Sequence, residues 1–194
     1  MIQAQLLHVL GWIWAVFGVY WIVAARRRKA EQTSELSLYR FVRILLLVIT
    51  FALLFSKQVA VGPLGRRFLP QSPPIAYIGF ALAVAGMGIA VWARIHLGQY
   101  WSDKVVLKVD HQLISSGPYA RMRHPIYSGV LLGVAGTALV VGEWRGVVAF
   151  FLLLTNYAVK AKREEKILAG AFAEDFADHK KRAGFLLPRL YSKQ

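Results

Sequence analysis

The chain contains no cysteine. That single absence excludes disulfides, zinc–thiolate sites, iron–sulfur clusters and thiol catalysis together. Histidine is limited to His8, His96, His111, His124 and His179, none of them at the i, i+4 spacing of a helical metal site, so no metal centre is expected. Acidic residues are scarce, 10 Asp and Glu against 24 Lys and Arg, for a formal net charge of +14. Charge of either sign is also thin: 18% of residues, where a soluble domain carries roughly a quarter. Apolar residues fill the space, at 57% of the chain with a mean hydropathy of +0.46, and this excess points to a bilayer. A strongly basic balance suits either nucleic acid or anionic lipid. Here the charges alternate with long apolar runs and form no arginine–aromatic sheet motif, so membrane lipid is the expected partner and nucleic acid is not.

Residues 6–25 form an uncharged run close to the roughly 20 residues that cross a hydrocarbon core as helix. It contains Trp12, Trp14, Tyr20 and Trp21 and ends at Arg26-Arg27-Arg28-Lys29. A cleaved signal peptide has its charges before the apolar run; the order here is reversed, which predicts a retained helix with its N-terminus outside. Residues 32–38 read as a polar connector, and Arg40 and Arg43 lead into a second span at 44–61, with Lys57 snorkelling near its far end. The loop at 62–74 holds four prolines and two glycines. A third span follows at 75–93, in which Gly79, Gly86 and Gly88 permit close helix packing.

Two shorter apolar runs, 127–141 and 147–159, flank Gly142-Glu143-Trp144-Arg145-Gly146 and predict a helical hairpin whose glycines 129, 133 and 136 mark a close-packed face. From Lys160 onward the chain reads as charged and soluble. The expected fold is therefore an all-α integral membrane protein with about five transmembrane helices, divided into an N-terminal part (1–93) and a C-terminal core (94–194). With the N-terminus outside, the segments 26–43, 94–126 and 160–194 are cytoplasmic and hold 20 of the 24 Lys and Arg, in line with positive-inside bias.

The densest polar stretch is residues 113–127. Gly117 and Pro118 fix a turn, and Pro125 suits the first turn of the following helix. Arg123 and His124 then stand at that helix's N-terminus, where the macrodipole and free N–H groups favour an anion. Arg123 is either a bidentate anion binder or an interfacial snorkelling arginine. His124 either bonds a cofactor or caps the helix, and Tyr119 and Tyr127 are either site residues or members of an interfacial aromatic belt. Glu164-Glu165 is either a solvated pair, with Lys160 to Glu164 at i, i+4, or a ligand for hydroxyls or an amine.

Gly117-Pro118-Tyr119, then Arg123-His124-Pro125-x-Tyr127, a hairpin, Glu164-Glu165 and a final Leu187-Pro188 resemble the isoprenylcysteine carboxyl methyltransferase family and its phospholipid-methyltransferase relatives. The likeness covers residues 94–190 and begins at Leu97-Gly98-Gln99-Tyr100-Trp101-Ser102. The resemblance implies S-adenosylmethionine as cofactor, bound on the cytoplasmic side. It also implies that Gln112, Leu113 and Ile114 wrap the cofactor, that Gly117, Tyr119, His124, Pro125, Tyr127 and one of Glu164 and Glu165 line its pocket, and that Leu187-Pro188 closes over it. Arg182 falls where the carboxyl methyltransferases carry a basic residue near the substrate. One departure bears on the acceptor: where the family has Gly-x-x-Tyr-x-x-Tyr, this chain reads Ala173-Glu174-Asp175-Phe176-Ala177-Asp178-His179.

Methyl transfer from a sulfonium is an in-line displacement in which alignment, worth roughly 7–11 kcal/mol, outweighs acid–base help when the acceptor is a carboxylate or thiolate. The expected catalytic residues are Arg123 and Arg182, holding an anionic acceptor, with Glu164 as the base for an amine. A cysteine-free compact chain also suggests a prokaryotic cytoplasmic membrane and a lipophilic small-molecule or lipid acceptor. Two other readings compete: an NADPH-dependent isoprenoid or sterol-type reductase, and a non-catalytic membrane protein holding anionic lipid.

Overall fold

The computed structural model describes residues 1–24, 37–98, 101 and 113–189. Apolar runs of this length fold as helix because a bilayer core offers the backbone no partner outside the segment. Among the described residues these give five long helices: α1 (Ile2–Ala24), α2 (Ser37–Phe55), α3 (Pro73–Leu97), α4 (Pro125–Val141) and α5 (Trp144–Arg182). Of these, α1, α2 and α3 are long and apolar enough to cross a membrane.

Two boundaries correct the sequence reading. Helix α2 begins at Ser37 and ends at Phe55, so Arg40 and Arg43 lie inside its first turns and Lys57 lies beyond it, in a short 3₁₀ turn (Lys57–Val59). Its end is fixed by buried Arg145, whose Nη1 donates to the carbonyls of Leu53 (2.8 Å), Leu54 (3.1 Å) and Ser56 (3.1 Å); these are carbonyls a helix terminus leaves open. Glu143 pairs with the same guanidinium at 2.6 Å. Helix α5 carries the second apolar run on through the charged residues after it, 39 residues in all, broken only by non-helical backbone at Ala173. At about 1.5 Å per residue such a length far exceeds a ~30 Å hydrocarbon core.

The centre of the fold is α3 against α4, and glycine is what lets them meet. A Cβ on Gly86 would stand 2.4 Å from Gly133 N, and one on Gly136 would stand 2.4 Å from Ala83 N. The glycine face of α4 thus packs on α3. Gly88 takes no part, since a Cβ there meets nothing within 4 Å. Helix α1 joins through Trp14, whose Nε1 donates to Thr137 Oγ1 at 3.0 Å. At the α4–α5 turn Gly142 adopts left-handed φ of 65°, and residues 66–69 bind that turn through Phe68 N to Gly142 O and Trp144 N to Arg66 O.

Candidate functional site at the α4–α5 junction

His124 is the N-cap of α4 and Pro125 its first residue, so Arg123, His124 and Tyr127 leave one turn of backbone together. The C-terminal extension of α5 passes alongside and brings two carboxylates. Arg123 Nε donates to Glu165 Oε1 at 2.6 Å, and His124 Nε2 lies 3.3 Å from the same oxygen. Lys180 Nζ stands 3.6 Å from Glu165 Oε2. Burial by itself raises the Glu165 carboxyl, yet hydrogen bonds and charge from His124 and Arg123 outweigh it and hold the group at about 2. Glu165 is therefore an anion at any physiological pH, with its oxygens committed to three cationic or polar partners.

Glu164 is differently placed. Tyr127 donates to its Oε1 at 2.6 Å, Lys160 Nζ lies 3.7 Å from that oxygen, and His124 Nδ1 lies 3.7 Å from Oε2. Its side chain is 21% exposed against 11% for Glu165, so of the two it keeps more acceptor capacity for a ligand. The His124 ring stacks on Tyr127 (5.5 Å, 7°), Phe185 meets His124 edge-on at 5.3 Å, and Tyr127 stacks in turn on Tyr157 at 4.7 Å.

A second group adjoins through Tyr127, which packs with Ile114 against buried Ala93, Trp101, Tyr119 and Ile126. Gly117 has φ of +56°, and a Cβ there would stand 2.6 Å from His96 Cε1. His96 Nε2 reaches Ser116 Oγ at 2.9 Å. Burial raises the Tyr119 phenol above its usual range, with the Glu164 charge adding to it and Arg94 opposing, so the hydroxyl stays protonated. It donates to Ala93 O at 3.4 Å.

Residues 183–189 close the site from outside. Arg123 N donates to Gly184 O, while Gly184 N and Arg189 N both donate to Arg121 O; the Arg123 guanidinium also reaches Ala183 O, and Ser128 Oγ donates to Leu186 O. Between this strap and the α4–α5 hairpin lies a cavity of about 780 Å³, within the ~300–1,000 Å³ of typical ligand pockets. Leu131, Leu132, Ala135, Phe150 and Leu154 make its wall, and Arg123, Lys180 and Arg189 its charged rim. Paired carboxylates, cations and stacked rings beside an apolar cavity can receive an amphoteric ligand and a lipophilic one side by side.

The family model for phospholipid methyltransferase matches residues 75–175, more than half of the chain. This chain belongs to the phospholipid methyltransferase family. It is 28% identical over 117 residues to a probable protein-S-isoprenylcysteine O-methyltransferase of Oryza sativa subsp. indica, covering 59% of this chain and 61% of that one. It is 32% identical over 111 residues to the cobalt-zinc-cadmium resistance protein CzcN of Cupriavidus metallidurans, covering 56% and 49%. To the protein-S-isoprenylcysteine O-methyltransferase of Schizosaccharomyces pombe it is 29% identical over 101 residues, covering 50% and 43%. The chain thus spans about half the length of these curated relatives. No group of three or more His, Cys, Asp or Glu suited to a metal occurs among the described residues.

Within this phospholipid methyltransferase-family chain, the expected site residues separate into groups. Arg123, His124, Tyr127, Glu164 and Glu165 converge, with Pro125 buried beneath them. Leu187 and Pro188 line the cavity. Gly117, Tyr119 and Ile114 lie on the far side of Tyr127, Leu113 is half-buried nearby, and Gln112 lies outside the described residues. Arg182 is not brought in: it is exposed, its Nε 3.5 Å from the Asp178 carbonyl of its own helix. Lys180, Phe185 and Arg189 line the cavity instead. The break at Ala173 removes the helical phase by which the inward member of Lys180-Lys181-Arg182 could have been read. Phe176 and His179, which replace the two phenols of the resembled pattern, are both buried and face each other at 6.5 Å.

Proposed function

We propose that this chain is a multi-pass membrane methyltransferase that takes a methyl group from S-adenosylmethionine and delivers it to a lipophilic acceptor of carboxylate type, or to a lipid, thiol or amine. The observation that carries the reading is the junction itself: a carboxylate pair, His124 and Arg123 open beside an apolar cavity with a basic rim. Family membership and the names of the relatives support it.

The donor set fits the cofactor. Glu164 has acceptor capacity for an ammonium or hydroxyls, His124, Tyr127 and Tyr119 supply aromatic surface, and Gln112, Leu113 and Ile114 are assigned to the same pocket by the resemblance. Glu165 serves as the anchor, its oxygens being committed to Arg123, His124 and Lys180. When bound, S-adenosylmethionine supplies a sulfonium methyl group transferable by in-line displacement. The chain's own residues then orient and exclude: the cluster fixes one reactant, the strap keeps water out, and Lys180 and Arg189 hold the charge of an anionic acceptor. Arg123 is engaged by Glu165 and Arg182 faces away, so the anion-holding role passes from them to these two cations. The site and the tail share the cytoplasmic face, with α4 and the first half of α5 as fourth and fifth crossings; the concentration of Lys and Arg in the same segments supports this.

The test is calorimetric titration of detergent-purified protein with S-adenosylhomocysteine, then with NADPH. Micromolar binding of the first, lost in Glu164→Ala, is the expected result. Binding of NADPH alone overturns the reading in favour of a reductase.

A further inference from the structure

We infer that the layer formed by Ala135 and Phe150 is the floor of the cavity and sets the length of the acceptor chain it admits. The inference rests on the acceptor reading above and extends it to specificity.

Two contacts fix the register of the antiparallel hairpin. Near the turn, a Cβ on Gly146 would stand 3.0 Å from Ala138 Cα, and at the other end Tyr127 stacks on Tyr157 at 4.7 Å. That register sets Leu131 level with Leu154 and Ala135 level with Phe150, and all four line the cavity together with Ser128. Beyond that last pair the helices close on each other, at the level where a Cβ on Gly146 would meet Ala138 Cα. Seven residues of α4 separate Ser128 from Ala135, about 10 Å at ~1.5 Å per residue.

The two ends differ in chemistry. Leu131, Leu132, Ala135, Phe150 and Leu154 offer only hydrocarbon, whereas Arg123, Lys180 and Arg189 gather at the mouth, Lys180 with 47% of its side chain exposed. The occupant that matches both ends is a single-chain amphiphile with an anionic head, lying head to the strap and tail to Phe150. A chain shorter than the trough leaves apolar wall uncovered, and a longer one meets the Phe150 ring.

The test uses full-length protein reconstituted in phosphatidylcholine vesicles without cofactor, photolabelled with octanoate, laurate and palmitate that each carry a terminal diazirine. In the wild type, labelling at Ala135 and Phe150 should rise with chain length, by up to roughly fourfold in affinity per buried methylene, and then stop rising. Phe150→Ala should move the plateau to longer chains and Ala135→Phe to shorter ones; Leu154→Ala, which widens the trough without lowering its floor, should leave the plateau where it is and keeps the test open if either variant fails to fold. A plateau unmoved by the floor variants overturns the inference. So does label spread evenly over α1 and α2, or equal labelling of the floor by a diazirine phosphatidylcholine, which would make the cavity a general lipid site. The readout needs no methyl transfer, so its failure is distinct from a failure to bind S-adenosylhomocysteine.

Discussion

Arg123 Nε meets Glu165 Oε1 at 2.6 Å from 42 positions away in the sequence. The same guanidinium reaches the Ala183 carbonyl and lies over the Phe185 ring at 5.7 Å. One side chain thus joins the start of α4, the extension of α5 and the strap that closes the cavity, and both partners are largely buried, at 12% and 11% exposure.

Removing either partner strands a buried charge, which costs about 3–5 kcal/mol. Arg123→Met and Glu165→Leu should each lower the thermal midpoint in detergent sharply, while the Arg123→Met, Glu165→Leu double variant should recover part of the loss because no unpaired charge remains. Simple addition of the two single effects would mean that the pair is not coupled.

Acid should loosen the same region. Glu165 is held at about 2 against an ordinary 4.5, so between those values the unfolded chain binds the proton and the folded one does not. Stability conferred by this group is complete above about 4.5 and is lost as pH falls towards about 2. His179 acts in the same direction from higher pH: burial, then the charges of Arg123 and Arg182, lower its pKa from 6.5, so the unfolded chain again takes up the proton first. Thermal midpoints should decline below about 6.5 and more steeply below about 4.5. Glu165→Gln should flatten the lower part alone; a wild-type midpoint flat across both ranges would refute the assignment.

The α3–α4 seam makes a prediction with an internal control. Gly86→Ala drives a methyl group against Gly133 backbone and should destabilise by about 1–3 kcal/mol, as overpacking does, whereas Gly88→Ala meets open space and should be neutral or slightly stabilising through helix propensity. Equal midpoints for the two variants would contradict the seam.

These particulars explain what the sequence could and could not convey. Uncharged runs near twenty residues disclosed α1, α2 and α3, and Pro125 disclosed the start of α4, because hydrophobic length and a missing N–H are local properties. The glycines of α4 announced a close approach but not its partner, since a stripe of small residues does not say which helix it faces. Arg145 read only as a loop charge; its work at the end of α2 depends on contact across some ninety residues, which no local pattern carries. At the site, adjacency made Arg123, His124 and Tyr127 legible together, and the resemblance supplied the glutamates. Lys180 and Arg189 were not legible, because their facing is set by the break at Ala173 and by backbone bonds from residues 184 and 189 to Arg121.

Tyr127 offers the sharpest separation of site chemistry from packing. Its ring lies between His124 and Tyr157, and its hydroxyl alone reaches Glu164, at 2.6 Å. Tyr127→Phe keeps both stacks and removes a hydrogen bond to a charged group, an interaction worth about 1.5–3 kcal/mol. If Glu164 receives the ligand, it must be held at one rotamer to do so, and losing the phenol frees it. Affinity for S-adenosylhomocysteine should then fall roughly tenfold or more, with ~1.4 kcal/mol per decade, while the thermal midpoint changes less than in Tyr127→Ala, which also loses the stacking. Unchanged affinity in Tyr127→Phe alongside lost affinity in Glu164→Ala would mean that Lys160, 3.7 Å from the same oxygen, suffices to orient the carboxylate and that the phenol serves the fold alone.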